Sequence, residues 1–534
     1  MPLRPLNRLQ VWLLPPTLDE LIPDDHPARF VASLVDSLEE DVWRKLGIGL
    51  GGDPLGAPAY HPRALLGVWL YGFMTGTRSS RKLEGACRDQ VTYLWLTGWQ
   101  HPDHNTLWRF YKEHRGEMRH LFKLTVRTAV NMDLVDMAVQ AIDGTRIAGN
   151  AAKDRTYDAK GLQRLLERTE KVIQDLEREN EANNDPPPAR LPEKLRGAQD
   201  LRIEVKAAME RLAAEEGKKH LNLTDGDTNL MKARQGMIAG YNVQAVVSPL
   251  KVVEAGQTGM LVTAVAAVQD AFDNNQLVPM MEQAEEVTGK KADMTLVDAG
   301  YDSGANLAAC EKRKQVIVMP QAEDHELQNP YHKGKFIYDI DSDTYNCPCG
   351  QPLKSLRTKL VMKTMMRVYH IAGKVCRACS AFGTCTKNPN GRDLLIGPYE
   401  AQLRRHRQWM ATKEAKAAYD RRKELVEPVF GIIKEQMGIR HFLLRGWLNV
   451  RAEANMMVIA FNLRTLCNVW QAWSSAKREN LTGIVRKIVA AVFLFTQTSG
   501  STVRNVSNRN HFYPFINLIE TGSCVPFPAW FITA

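Results

Sequence analysis

The chain has 534 residues, of which 44% are hydrophobic and 24% charged, and its formal net charge is +10. A chain of this length exceeds what one hydrophobic core usually organises, so we expect a central domain with additional parts. No apolar run approaches the roughly 20 residues that span a bilayer, and the N-terminus lacks the apolar core of a signal peptide. We therefore expect a soluble, cytoplasmic protein, and its positive charge favours a polyanionic partner.

The first 130 residues have a helical pattern. Pro62–Gly76 carries Pro in its first turn and Gly after its last, which is the usual asymmetry of helix ends. Further helices are predicted before and after the breaker His101–Asp103. Basic side chains lie on the connecting turns: Arg78, Arg81, Lys82 and Arg88. This pattern is typical of a helix-turn-helix, and equally of a helical bundle with solvated basic faces.

From Met137 the pattern changes to the alternation of a strand, which we expect to end near Asp143. Two apolar helical runs then flank Asp185–Pro188 and predict an inserted helical hairpin. Strands mixed with helices resume after residue 221 and indicate an α/β layer with a mixed sheet. A long basic helix is predicted over Tyr399–Met437 and an amphipathic helix over Asn449–Trp470.

The predicted parts are a helical domain, 1–130; three pieces of one α/β domain, 131–159, 221–330 and 396–472; a helical hairpin, 160–220; a cysteine-rich insertion, 331–395; and a tail without a predicted role, 473–534.

Two acidic residues follow β-prone runs. Asp143 ends VQAID and Asp298 ends TLVD, and each stands directly before Gly or Ala-Gly. An acid at the carboxyl end of a strand points into the crevice where α/β sheets place ligands, and two such acids can share hard cations. Taken singly, each Asp is also explained as the start of a turn.

A third acid lies on the basic helix. At about 100° per residue, Tyr419, Lys423, Glu427 and Lys434 fall within one arc beside an apolar arc, so Glu427 lies at the edge of the buried face. Glu424 points the other way and is expected to be solvated. Pro428 removes one helical hydrogen bond and predicts a kink at this position.

Several fragments in sequence resemble one family. AIDGTRIAGNA, TDGDTNLMK with GYNVQAVV, LVDAGYDS and RRKELVEPVFGIIK resemble the bacterial insertion-sequence transposases with a DDE catalytic triad. The N-terminal stretch from Tyr60 to Gly98, with PDHNTLWRF, is similar to the N-terminal domain of one subgroup. The resemblance covers roughly residues 20 to 470. It implies an α/β, RNase H-like mixed sheet with flanking helices, an N-terminal all-helical DNA-binding domain and two insertions.

The resemblance also implies residue roles. Asp143, Asp298 and Glu427 are the expected catalytic and metal-binding residues, holding two Mg²⁺ (or Mn²⁺) ions. Water first attacks at the element ends, and the freed 3′-hydroxyl then attacks target DNA, as two-metal phosphodiester chemistry allows. Tyr419 and Lys434 match DNA-contacting positions of the family's helix. The family's helix also carries a basic residue between the Tyr and the Glu. Arg422 matches it by residue type and by spacing from Tyr419, whereas Lys423 matches it by spacing to Glu427.

The implied partners are double-stranded DNA, as terminal inverted repeats and as target, and further copies of the chain, because two ends must be synapsed. A homodimer or higher multimer on DNA, associated with the nucleoid, is therefore expected. Two other hypotheses remain: a catalytically inactive, domesticated DNA-binding protein of this fold, and a nuclease without strand transfer.

Five of the nine cysteines form a cluster between residues 347 and 385. They are Cys347, Cys349, Cys376, Cys379 and Cys385. Zn²⁺ needs four thiolates, and Cys-x-x-Cys closes easily on a tetrahedral ion, so the cluster predicts a structural zinc site. Five reduced thiols in a loop-rich insertion are the alternative.

A basic stretch precedes Glu427, and its excess of positive charge suits a face that follows DNA. Its members are Arg404, Arg405, Arg407, Lys413, Lys416, Arg421, Arg422 and Lys423. A solvated helix with exposed arginines explains the same residues.

Overall fold

The computed structural model describes residues 16–51, 58–183, 193–234, 236–251, 259–321, 328–362 and 364–476. The contacts divide it into two units, each described by itself. Unit 1 contains the described residues of Met1–Ala271, Met280–Lys291 and Leu425–Ala534, and unit 2 those of Phe272–Pro279 and Ala292–Glu424. The Asp185–Pro188 breaker lies outside the described residues, and so does the predicted tail from residue 477 onward, whereas residues 473–476 belong to the last described helix.

Unit 1 begins with helices. They are α1 Pro27–Asp36, α2 Glu40–Lys45, α3 Pro62–Met74, α4 Ser80–Asp89, α5 Val91–Leu96, α6 His104–His114 and α7 Met118–Asn131. Helix α3 begins at its predicted Pro, and α6 begins after Asp103, whose side chain accepts a hydrogen bond from the Thr106 N–H at 2.8 Å. No helix of the described ranges combines the length and apolarity needed to cross a membrane.

Strand β1 Val139–Ala148 corrects one prediction, because it does not end near Asp143. It continues to Ala148 and pairs antiparallel with a later strand over its whole second half, where Thr145 faces Val243 and Ile147 faces Tyr241. The β-branched Thr145 and Ile147 favour continuation of the strand beyond Gly144, so Asp143 stands within the strand and not at its end.

The predicted helical hairpin is present. It consists of α8 Ala159–Asn183 and α9 Glu193–Ala214, flanked by the short paired strands β2 Thr156–Tyr157 and β3 Leu221–Asn222. Its apolar positions pack together around the buried Leu162, Val205 and Ala208. The exposed charges of the two helices therefore surround a small core of their own.

The sheet of unit 1 is completed by β4 Asn229–Ala233, β5 Gly236–Pro249 and β6 Met260–Val268. Strand β5 is central: it pairs with β1 on one edge and with β4 and β6 on the other, always antiparallel. Helix α10 Leu277–Thr288 follows. At Gly240 the neighbouring strand comes so close that a Cβ would lie 2.4 Å from the Ile147 carbonyl oxygen, so this position requires glycine.

Unit 2 combines a parallel pair with a separate sheet. Strands β7 Met294–Leu296 and β8 Val316–Val318 are parallel and are connected by α11 Gly304–Lys312. The cysteine-bearing segment then forms an antiparallel sheet of β9 Ile337–Asp339, β10 Thr344–Asn346, β11 Pro352–Val361, β12 Thr364–Ala372 and β13 Gly391–Ile396, in the order β13-β12-β11-β10-β9, with α12 Gly373–Arg377 between β12 and β13. This insertion has its own core, which includes Tyr345, Leu353 and Tyr369.

The predicted single basic helix is two helices. α13 Glu400–Met410 and α14 Lys413–Gly431 are separated at Thr412, whose hydroxyl accepts from the Ala415 N–H at 3.2 Å and begins the second helix. A π-helical turn, Ile432–Gln436, follows α14 in unit 1.

The last described helix, α15 Trp447–Ala476, packs on the unit 1 sheet. The buried Asn462 amide accepts from the Val262 N–H and donates to the Val262 carbonyl, both at 2.8 Å. The predicted fold class is confirmed: the protein is mixed α/β with N-terminal helices, consistent with an RNase H-like transposase.

Candidate active site

Asp143 lies half-buried on β1, in register with Ala245 of β5. Its carboxylate accepts a hydrogen bond from the Gly144 N–H at 2.8 Å. Thr145 shares its strand face, because side chains two residues apart point to the same side. The Lys434 ammonium donates to the Thr145 hydroxyl, so the turn that follows α14 meets β1 beside Asp143.

The environment of Lys434 is partly desolvated. Burial lowers the pKa of this ammonium from its usual range, whereas the negative charges of Glu435 and Asp143 act to raise it. The Lys434 ammonium therefore lies close enough to Asp143 for the charge of that carboxylate to affect its pKa.

Glu427 lies on the exposed side of α14, four residues before its end, and its neighbours Val426 and Val429 are fully buried. The helix continues through Pro428 and changes to the π-helical turn at Ile432, so the regular 100° per residue that the prediction assumed does not extend to Lys434. A π turn has more residues per turn, which rotates Lys434 relative to a regular helix. Glu424 is exposed too, so exposure alone does not separate the two glutamates.

Asp298 follows β7 in unit 2, where it was predicted. Its carboxylate accepts a hydrogen bond from the Gly300 N–H at 2.8 Å. Asp298 therefore also starts a turn, which was the alternative explanation of an Asp at this position. A second carboxylate, Asp273, lies near the same glycine: a Cβ on Gly300 would be 2.9 Å from Asp298 Oδ1 and 3.4 Å from Asp273 Oδ2. Sequence reasoning missed Asp273, because nothing distinguishes Asp-Asn-Asn from an ordinary turn.

The two candidates for the basic position differ in environment. Arg422 is buried, and its guanidinium lies 3.8 Å from the Asp298 carboxylate. Lys423 is exposed, and Tyr419 is partly exposed. Arg422 is therefore placed to neutralise Asp298, whereas Lys423 faces solvent.

Arg78 does not lie on an exposed face, which corrects the prediction that it contacts DNA. It is 8% exposed, its guanidinium pairs with Glu453 of α15 at 2.7 Å, and it donates to the His441 carbonyl at 3.2 Å. The position in a connecting turn suggested a free side chain, but a partner 375 residues away in sequence removes it from solvent. Arg81 and Lys82 are exposed on α4.

The basic stretch before Glu427 is only partly free of local partners. On α13, Arg405 pairs with Glu311 at 2.6 Å and Arg407 with Glu400 at 2.7 Å, and Arg404 stacks over the Tyr338 ring at 4.0 Å. The exposed cations of α14 are Lys413, Lys416, Arg421 and Lys423. A continuous basic face over both helices is therefore not present.

The five clustered cysteines line one cavity of about 30 Å³ in unit 2. At its rim the Gln351 N–H donates to Cys347 Sγ at 3.3 Å, in a turn that Gly350 allows with a φ of +77°. A hydrogen bond with Cys379 raises the pKa of the Cys349 thiol to about 11. Among the described residues, no three His, Cys, Asp or Glu side chains are arranged so that they could hold a metal ion as they stand.

Two family models match the chain. Residues 16–113 match a transposase domain (DUF772), and residues 346–467 match a transposase DDE domain. Together the two matches indicate the insertion-sequence DDE transposase family. No protein of curated function matches the sequence significantly.

The matches cover different parts of this transposase. The N-terminal match spans α1 to α6. The second spans β11 to β13 of the cysteine-rich sheet, α13, α14 and most of α15. Glu427 and Lys434 lie inside the second match, but Asp143 and Asp298 precede it. The assignment of the two aspartates therefore rests on the motifs around them. A transposase function, with DNA as substrate, follows from the family.

Proposed function

We propose that this transposase cleaves the ends of an insertion sequence and joins them to target DNA, with Asp143, Asp298 and Glu427 as its catalytic residues. The observation that carries the proposal is the contact of Lys434 with Thr145, because it packs the segment that follows Glu427 against the strand of Asp143. Within unit 1, Lys434 thus contacts the strand that bears Asp143, and Glu427 precedes that lysine in the same segment of chain.

Carboxylates of this kind suit Mg²⁺ or Mn²⁺, which are bound by hard oxygen ligands. When bound, two such ions supply an activated nucleophile, a stabilised leaving oxygen and neutralisation of the phosphate charge. Asp143, Asp298 and Glu427 would hold them. The Arg422 guanidinium lies 3.8 Å from the Asp298 carboxylate, so this acid already has one positive charge beside it.

The DNA contacts near the scissile phosphate are proposed for Lys434, Lys423 and Tyr419. Lys434 contacts Thr145 on the strand of Asp143, and Lys423 is exposed on the helix of Glu427. We assign Arg422 to positioning Asp298 and not to DNA, since its side chain is buried. On the N-terminal helices, the exposed Arg81 and Lys82 stay in the proposed DNA-binding face and Arg78 does not.

The decisive assay incubates the full chain with labelled element ends, a target plasmid and Mg²⁺. Joined product is expected; cleaved product alone indicates a nuclease, and a shifted complex alone indicates a DNA-binding protein without catalysis. Glu427→Gln is expected to lower joining by at least about a hundredfold, the scale on which loss of one transition-state stabiliser acts.

Glu424→Gln is the matched control for that variant, because it removes an exposed carboxylate three residues away on the same helix. It should join DNA at the wild-type rate. Equal losses in both variants would show that the helix, and not the Glu427 carboxylate, is what joining requires. Asp143→Asn that left joining intact would remove the catalytic assignment.

We also propose that four of the five clustered thiols hold a structural Zn²⁺. The support is chemical and spatial: the five cysteines line one cavity, and the backbone N–H that donates to Cys347 Sγ stabilises a thiolate. The thiols would have to approach one another to close on the ion. Because binding releases the thiol protons, zinc affinity should fall as the pH falls.

Metal analysis of the purified chain tests this proposal. One zinc per chain is expected, and it should be lost in Cys376→Ser/Cys379→Ser. Cys310→Ala is the control, because this cysteine is buried in α11, outside the cluster. A chain purified without chelators that contains no zinc and takes up none would overturn the site.

A further inference from the structure

The hairpin of β11 and β12 extends beyond the core of the cysteine-rich sheet. At its base, Leu353 and Tyr369 are buried. From Lys354 to Leu360, however, every residue of β11 is exposed, so both faces of the strand are open. A strand that covers a core alternates between buried and exposed residues, and this one does not.

The exposed end of this hairpin, which we call the ribbon (residues 354–362 and 364–367), is positively charged. Lys354, Arg357 and Lys359 are exposed, and none of them forms an ion pair with another described residue. Across the register, Arg357 lies opposite Val368 and Lys359 opposite Met366, so the two cations share one face.

The charge around the ribbon is one-sided in sequence too. Residues 344–392 contain nine Lys and Arg and no Asp or Glu: Lys354, Arg357, Lys359, Lys363, Arg367, Lys374, Arg377, Lys387 and Arg392. The whole chain has a net charge of only +10. Asp343, directly before the segment, pairs with Arg367 at 2.6 Å. The charges of Lys354, Arg357 and Lys359 are not offset in this way, so their field attracts a polyanion.

The tip of the ribbon is apolar and solvated. Met362 is 96% exposed and Leu360 63% exposed, and Leu360 lies opposite the exposed Met365 on the face that Lys359 does not share. Projecting apolar side chains flanked by cations are the elements with which β-ribbons enter a DNA groove and wedge into it. A membrane surface would need more apolar area than these few side chains provide.

We propose that the ribbon is a second DNA-binding element of this transposase, with Lys354, Arg357 and Lys359 on the phosphates of duplex DNA and the tip side chains in a groove. The inference rests on the proposed function only in taking duplex DNA as the partner. The ribbon contains none of the three acids proposed for catalysis, so the contribution that we infer for it concerns affinity and not the chemical step.

The test measures binding of the full chain to a fluorescein-labelled DNA duplex of arbitrary sequence at several KCl concentrations. The variant Lys354→Ala/Arg357→Ala/Lys359→Ala should bind at least roughly tenfold more weakly. The slope of log K against log [KCl] should fall by about 0.9 for each phosphate that the variant no longer neutralises. Leu360→Ser/Met362→Ser should weaken binding with the slope unchanged.

The charge-matched control is Lys171→Ala/Lys194→Ala/Arg196→Ala, which removes three exposed cations from α8 and α9. It should keep the wild-type affinity and slope. If control and ribbon variants weaken binding equally, the effect is general electrostatics and the inference fails. Should the triple variant not fold, Lys359→Glu alone gives the same comparison.

Two further outcomes separate this inference from others. If the tip variant abolishes a self-association of the DNA-free protein and leaves DNA binding intact, the ribbon is an interface between copies and the inference is overturned. If the ribbon variant binds DNA more weakly than the wild type, but the wild type joins no ends, the inference about the ribbon is supported and the proposed function is contradicted. If the wild-type chain joins DNA ends but the ribbon variant binds DNA as tightly as the wild type, the proposed function is supported and the inference about the ribbon is contradicted.

Discussion

At the scale of single residues, partners decide what a charged side chain can do. Arg78 and Arg81 lie three positions apart, yet Arg78 pairs with a buried carboxylate and Arg81 faces solvent. Arg422 and Lys423 are adjacent and differ in the same way. Spacing along the chain proposed all four as DNA contacts, but it could not show which way each side chain points, because that depends on packing.

Gly300 gives a prediction at this scale. Gly300→Ala places a Cβ 2.9 Å from Asp298 Oδ1, so the carboxylate must move. Because small displacements of catalytic groups can cost up to about a hundredfold in rate, we expect a large loss of DNA joining without loss of folding. Joining assays and thermal unfolding of the variant measure both.

Gly197→Ala is the control for this prediction, since the glycine is exposed in α9 and a Cβ there meets nothing within 4 Å. It should keep full activity and gain up to about 1 kcal/mol of stability. Unchanged joining in Gly300→Ala would mean that the position of the Asp298 carboxylate is not critical.

At the scale of elements, a buried ion pair ties α15 to the turn before α4. The Glu453 carboxylate accepts from Arg78 at 2.7 Å and from the Leu443 and Leu444 N–H groups at 3.0 Å each. Burial raises the pKa of Glu453, and the Arg78 charge counteracts that rise. The pair therefore holds Leu443 and Leu444 in place, and these residues follow the π-helical turn that bears Lys434.

Removal of one partner should be costly. Arg78→Met leaves a buried carboxylate uncompensated, which costs about 3–5 kcal/mol of the free energy of unfolding. The double variant Arg78→Met/Glu453→Gln should recover part of that loss, since the amide oxygen can still accept from Leu443 and Leu444. Urea denaturation of single and double variants gives the coupling between them. Arg81→Met, which changes an exposed arginine, should alter stability by less than about 0.5 kcal/mol.

The cysteine-rich sheet contains an acid-sensitive cluster of hydrogen bonds. Hydrogen bonds from Tyr369 at 2.6 Å and Tyr338 at 2.8 Å, with Arg367 at 2.6 Å, lower the pKa of Asp343. A lowered folded-state pKa means that the ionised form stabilises the fold. This contribution is present above the unfolded pKa of about 3.9 and disappears as the pH falls through the folded value.

Asp343→Asn should therefore flatten the decline in thermal stability below about pH 4, where protonation of the wild-type carboxylate weakens these hydrogen bonds. Asp341→Asn, which changes an exposed acid two residues earlier, should keep the wild-type pH profile. Identical profiles for all three proteins would show that Asp343 contributes nothing measurable. Melting curves between about pH 3 and 6 make the comparison.

At the scale of the whole molecule, the proposed chemistry draws on both units. Asp143, Glu427 and Lys434 belong to unit 1, and Asp298 and Arg422 to unit 2. The two family matches are also separated in the sequence, since one covers residues 16–113 and the other residues 346–467. No single continuous segment therefore contains the proposed active site.

Transposition of an element requires two ends to be brought together, so the protein should form a multimer on DNA. We predict that mass photometry with end-containing duplexes finds complexes of two or more chains with two DNA ends. Duplexes of unrelated sequence at the same salt concentration should give a lower proportion of such complexes. Complexes of one chain with one end under conditions of active joining would contradict the prediction.

The sequence by itself determined what depends on near neighbours. Caps and prolines predicted α3 and α6, apolar spacing predicted α8, α9 and α15, and matched motifs indicated the transposase family and the α/β class. These features succeed because a helix cap or a strand alternation is set within a few residues.

Only the tertiary structure decided the continuation of β1 past Asp143, the burial of Arg78 and Arg422, the π-helical turn after α14 and the exposure of the ribbon. Each depends on residues that are distant in sequence: a paired strand, a carboxylate 375 positions away, or the end of a core. Local propensity contains no information about such partners, because burial and pairing are properties of the folded chain as a whole.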